Sequence, residues 1–131
     1  MSNNFVSGYG RGLSVLFARG VNATGNEFSG NEIGIEFRET EYCQIRENEV
    51  NKNGFDPVFQ GGILIAASGY NTIESNSANW NSGFGVVIEF GGAHTLASNE
   101  ISHNGGAALI LLGSTAGNRI ENNQANKNGL G

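Results

Sequence analysis

Ile73-Glu74-Ser75-Asn76-Ser77-Ala78-Asn79-Trp80-Asn81 is one copy of a nine-residue frame that recurs through all 131 residues. The frame runs apolar, two variable residues, Asn, one variable, apolar, two variable, Asn. Upstream it returns as Ala23-x-x-Asn26-x-Phe28-x-x-Asn31 and Ile45-x-x-Asn48-x-Val50-x-x-Asn53. Downstream it returns as Leu96-x-x-Asn99-x-Ile101-x-x-Asn104 and Ile120-x-x-Asn123-x-Ala125-x-x-Asn128. A weaker copy opens the chain at Met1, with Tyr9 in the place of the second Asn. The first Asn falls at 4, 26, 48, 76, 99 and 123, in steps of 22, 22, 28, 23 and 24. A period of that length and regularity marks a solenoid in which each repeat is one coil.

After the second Asn comes Gly and then alternation, as in Gly34-Ile35-Glu36-Phe37 and Gly85-Val86-Val87-Ile88. Alternation with β-branched residues predicts a strand, and the two apolar frame positions predict two shorter strands flanking an Asn corner. Three strands repeated in the same order on every coil cannot form hairpins. They must stack in parallel on the coil below, with right-handed crossovers. The expected fold is all-β, a single-stranded right-handed parallel β-helix of about five and a half coils. Equivalent residues then lie about 4.8 Å apart along the axis, and the two Asn columns become ladders of side-chain amides. Asn tolerates positive φ and is expected to supply the bend as well as the amide. A leucine-rich repeat has a similar period, but two Asn five apart without Leu-x-x-Leu-x-Leu disfavour it.

The Asn-x-apolar-x-x-Asn frame followed by Gly-Ile-x-Ile, as in Asn48 to Ile65, resembles the right-handed parallel β-helix repeats of pectate-lyase-like proteins, mannuronan C5-epimerases and NosD-type periplasmic proteins. The resemblance spans essentially the whole chain. It implies an extracellular or periplasmic setting and a polysaccharide as partner. It leaves activity open, because the same repeats serve lyases, epimerases, adhesins and spikes. An enzyme built on it would be a polysaccharide lyase or C5-epimerase.

Seven basic and twelve acidic residues, scattered without a run of one sign, give a net charge of −5. That argues against nucleic acid, whose phosphates demand clustered Lys and Arg. No stretch approaches the 18 or so apolar residues of a membrane span, and no basic, apolar leader opens the chain, so neither a membrane partner nor a signal peptide is expected within it. Cys43, alone, is expected as a small buried filler. Residues 1–131 read as one β-helix domain, either a segment of a longer solenoid or an uncapped assembly unit, since neither end shows the polar cap that exposed coils need.

Four sets of residues are candidates for function. Lys52, Trp80, His103 and Lys127 share one frame position on successive coils, so an aromatic ring lies among cations at coil spacing. Such a column suits an acidic sugar chain, the ring stacking and the ammoniums meeting carboxylates. The 28-residue step holds the insert 55–60, and inserts in solenoids tend to line a binding face. There Phe55-Asp56-Pro57 resembles the Asp-Pro-His segment of mannuronan epimerases. That would make Asp56 an acid/base, but Val58 stands in the His place, and a plain Asp-Pro turn is the competing reading. On the long strand the outward columns run Ser14, Glu36, Leu64, Val87, Ile110 and Leu16, Arg38, Ala66, Glu89, Leu112. Glu36 and Glu89, two coils or about 10 Å apart, read as solvated side chains rather than a catalytic pair. Leu64, Val87, Ile110 and Leu112 form an apolar run where an outward face should be polar, and such a run is expected to be covered by a partner, including a second copy of the chain. The alternative function is therefore an assembly module that stacks end to end or packs laterally. Glu27, Glu49 and Glu100 share a position but lie on different coils, so no calcium cage or other cofactor site is expected. His94 and His103 fall in different parts of their coils and make no zinc site.

Overall fold

The computed structural model describes residues 1–55, 61–113 and 115–130. Its strands follow the repeat coil by coil. The first coil holds β1 (Phe5–Ser7) and β2 (Arg11–Leu16), and the second β3 (Asn22–Thr24), β4 (Glu27–Ser29) and β5 (Ile33–Arg38). The third holds β6 (Gln44–Arg46), β7 (Glu49–Asn51) and β8 (Gly61–Ala66); the fourth holds β9 (Thr72–Glu74) and β10 (Phe84–Glu89). Then come β11 (Thr95–Ala97), β12 (Glu100–Ser102) and β13 (Leu109–Leu112), and finally β14 (Arg119–Glu121) and β15 (Gln124–Asn126). All pair in parallel with the equivalent strand one coil away: β2-β5-β8-β10-β13 on one side, β3-β6-β9-β11-β14 on the second, and β1-β4-β7 with β12-β15 on the third. Single bridges through Ser77 join the last two groups. The expected register holds residue by residue, with Ser14, Glu36, Leu64, Val87 and Ile110 in one column.

Inside, Ile35, Ile63 and Val86 stack as one column and Phe37, Ile65 and Ile88 as the next, all in one fully buried cluster. Volumes compensate within a coil. Ala23 is the small residue on the coil that also carries Phe28 and Phe37, whereas the next coil has Ile45, Val50, Ile63 and Ile65. That keeps interior density even along the axis. The Gly at the start of the long strand on the first four coils, Gly12, Gly34, Gly62 and Gly85, is needed for space: a Cβ on Gly34 would overlap Val50 Cγ1 and crowd the Gly62 carbonyl oxygen. Gly34→Ala is therefore expected to lower unfolding free energy by about 1–3 kcal/mol, the usual cost of overpacking, measured by urea denaturation.

The bends sit elsewhere than the frame suggests. Four columns of corner residues have positive φ, most of them one residue before an inward-facing residue, and Gly54 adds a single position outside the columns. The columns run Asn3, Gly25, Glu47, Ser75, Ser98, Asn122; Gly8, Gly30, Lys52, Trp80, His103, Lys127; Phe17, Glu39, Ala67, Phe90, Gly113; and Gly20, Tyr42, Tyr70, Ala93, Gly117. No ladder Asn is among them. The left-handed residue turns the corner, and the Asn after it supplies only its amide. In each ladder the Asn Oδ1 accepts both the backbone N–H and the side-chain amide of the Asn one coil earlier, as Asn76 does from Asn48, both at 3.0 Å. Its own Nδ2 donates back to a main-chain carbonyl, Asn76 to Ile45 at 2.8 Å. The amides are thus satisfied in a dry interior, where an unpaired polar group would be costly.

A third, mixed ladder runs through Val21, Cys43, Asn71, His94 and Asn118. The Cys43 sulfur accepts the Val21 N–H, Asn71 Oδ1 the Cys43 N–H, His94 Nδ1 the Asn71 N–H and Asn118 Oδ1 the His94 N–H. Cys43 is buried as expected, and its sulfur is also a rung. His94 copies Asn: Nδ1 accepts, so the neutral ring carries its proton on Nε2.

Candidate functional site

A corner residue at positive φ leaves its side chain outside the coil, so the four corner columns are the surfaces this fold displays. Lys52, Trp80, His103 and Lys127 form one of them, with φ between 53° and 60°. Main-chain rungs hold them in step: the Lys52 N–H donates to Asn79 O, Trp80 to Ser102 O and His103 to Asn126 O, at 2.9–3.1 Å. The Trp80 and His103 rings stack 4.1 Å apart and 11° from parallel. One indole face is thereby covered, a departure from the expected open ring among cations. Trp80 stays exposed, with Lys52 on the coil below. Among the described residues neither Lys52 nor Lys127 forms an ion pair. Behind the corner, Asn51 Oδ1 accepts the Asn79 N–H at 2.8 Å and the Ser77 hydroxyl, and Asn79 Oδ1 accepts the Ser102 N–H at 2.6 Å. These two amide oxygens accept the Asn79 and Ser102 N–H groups while main-chain bonds such as Ala78 N–H to Glu100 O persist, and only the extra Asn at 51 and 79 hints at this in sequence.

A second surface was not foreseen. Between the corner column of Phe17, Glu39, Ala67 and Phe90 and the next corner lies an open groove of about 560 Å³. Phe17 and Phe90 stand on its wall, 74% and 65% exposed. Beyond its opposite side Tyr42 and Tyr70 stack at 5.1 Å and 4°. The Arg19 guanidinium covers the Tyr42 ring at 4.4 Å and reaches Glu41 at 3.8 Å. Aromatic residues directly after the long strand, Phe17 after β2 and Phe90 after β10, were the available signal.

On the long-strand face Glu36 is buried, against the expectation of a solvated side chain. It accepts hydrogen bonds from Arg11, from the Ser14 hydroxyl at 3.1 Å and from Arg38 at 3.3 Å. Burial pushes its carboxyl up, but the Arg11 guanidinium, Ser14 and Arg38 outweigh that and hold it below the usual carboxylate range. A carboxylate so engaged is a structural anion, and Glu89 lies two coils away. The apolar run is less open than its outward position implies: Val87 is 5% exposed, and Leu64, Ile110 and Leu112 are half-buried. Asp56 lies outside the described residues. Glu27, Glu49 and Glu100 do line up through Ser77, and among the described residues no three acidic, His or Cys groups come together as a metal set. His94, in the interior ladder, and His103, on the outer corner, are far apart in role.

A family model described as "Right handed beta helix region" matches residues 1–125. No curated protein and no solved structure matches the chain.

Proposed function

The chain belongs to the right-handed β-helix family, and from that scaffold and its corner geometry we propose that it is a module that binds an acidic polysaccharide outside the cell or in the periplasm. The observation that carries this reading is the corner column, in which Lys52 and Lys127, neither in an ion pair among the described residues, bracket a stacked Trp80–His103 pair. Over the three coil steps from Lys52 to Lys127 the column runs roughly 14 Å along the axis by strand spacing, which suits an extended chain more than a single sugar. The covered indole face leaves the other face and edge of Trp80 for a sugar ring, while the ammoniums meet uronate carboxylates. Ligand binding, with no chemical step, is the role this column can perform.

Trp80→Ala is expected to weaken binding of polygalacturonate about tenfold, the upper end of what one aromatic platform contributes. The measurement is titration calorimetry at low salt, repeated at high salt, where screening should weaken the parent as well. Equal affinity of parent and variant would remove the column from the reading.

A further inference from the structure

We propose that the groove beside Phe17 and Phe90 is a second binding site, for a sugar chain that carries protonated amino groups. The exposure of two aromatic residues at corners on one groove wall points to a ligand. Phe17 and Phe90 hold positive φ, at 52° and 49°, a conformation that a bulky side chain resists. Both rings are also left in water. In the same column Gly113 holds the corner without a side chain, and the Phe90 ring packs against it. Since every coil holds its corners at positive φ, what sets these two apart is that large apolar rings on one groove wall are left in water.

The groove's charge selects the ligand. Arg19 is engaged by the Tyr42 ring and by Glu41, and Arg38, on the adjoining strand, by Glu36. Among the described residues Glu39 on the groove wall and Glu89, next to Phe90, form no ion pair. The wall therefore offers ring faces with surplus carboxylate, the reverse of the Lys52–Lys127 corner. A uronate would be repelled here. A protonated amine is drawn both to Glu39 and to the π-face of a Phe ring. Phe17 and Phe90 stand three coils apart, roughly 14 Å by strand spacing, and Ala67 and Gly69 keep the stretch between them low. That shape takes an extended oligomer lying along the axis, with a ring near each Phe and an amine over Glu39. The site is independent of the acidic-glycan reading, and loss of one leaves the other standing.

The test is calorimetric titration with a glucosamine hexamer at pH 5.5, set beside its N-acetylated form, an oligogalacturonate and oligolysine. The parent is expected to bind the glucosamine hexamer at least tenfold more tightly than the N-acetylated one. The double variant Phe17→Gly/Phe90→Gly is expected to lose that binding while its Tm stays at or above the parent's, because glycine relieves the backbone. Glu39→Gln should abolish the preference for the amine without touching Tm. A double variant that binds as the parent does overturns the proposal, and so does a clear fall in its Tm, which would make the rings structural. Tighter binding of oligolysine or of oligogalacturonate than of the glucosamine hexamer overturns the ligand class.

Discussion

Asn76→Ala is expected to lower unfolding free energy by about 3–5 kcal/mol, read from urea denaturation at neutral pH. The substitution deletes four hydrogen bonds at the centre of the chain: Oδ1 to the Asn48 N–H and to Asn48 Nδ2, and Nδ2 to Ile45 O and to Asn99 Oδ1. Water cannot replace them, since Asn48, Ile45 and Asn99 are all buried. Each stranded donor or acceptor costs about 1–3 kcal/mol. Asn48 Nδ2 keeps Ala23 O as a partner, so the full sum is not reached. Asn76→Gly should be no better than Ala, because Asn76 does not itself adopt positive φ. Ser75→Gly, one residue earlier at φ 56°, is expected to be neutral or stabilising. If Asn76→Gly proved mild and Ser75→Gly damaging, the division of labour between bend and amide would be wrong.

That division explains what could be read from the sequence. Strand position, register and both Asn columns depend on the side-chain period, and the period is visible because the same residue types recur: Ile45, Ile73 and Leu96 at one place, Asn48, Asn76 and Asn99 at the next. The bend is invisible in this way. It is a backbone state imposed by the coil, and the residues that adopt it, among them Glu47, Trp80, Phe90 and Ala93, share no chemistry. The third ladder was hidden for a related reason. Cys43, Asn71 and His94 have in common only an acceptor atom at one place, and no composition rule groups sulfur, amide and imidazole. The groove was hidden because Phe17 and Phe90 are separated by two coils bearing Glu39 and Ala67, so no repeat connects them. Glu36 was misread because alternation places it outward, while its burial depends on the long side chains of Arg11 and Arg38 folding over it.

His94 is the rung at which the mixed ladder departs most from Asn, and the fold is expected to lose stability through it as the solution becomes acidic. The side chain is buried, 1% exposed. Its Nδ1 accepts the Asn71 N–H at 3.2 Å, and Nε2 has no hydrogen-bond partner among the described residues. Burial lowers its pKa below the ordinary imidazole value, and the backbone groups of Ser68 and Asn71 offset that only in part. The unfolded chain therefore binds a proton before the folded one does. Stability is complete above the unfolded-state pKa, about 6.5, and falls as pH drops below it until the folded value is reached. Within that window the loss is at most about 1.4 kcal/mol per pH unit. The structural cause is burial: the charged imidazolium would be enclosed away from water, with Nε2 unpartnered among the described residues. His94→Asn keeps an acceptor for that N–H and a donor like that of Asn71, which reaches Thr40 O. It should fold and flatten the pH dependence between pH 7.5 and 5. His94→Ala, which strands the Asn71 N–H beside a cavity, should cost about 3–5 kcal/mol at pH 7.5. Glu36 does not confuse the comparison, since its carboxyl lies below the usual range and its contribution is lost only at lower pH. Urea denaturation of the three proteins at several pH values decides the matter: a His94→Asn profile that runs parallel to the parent's would place the acid sensitivity elsewhere.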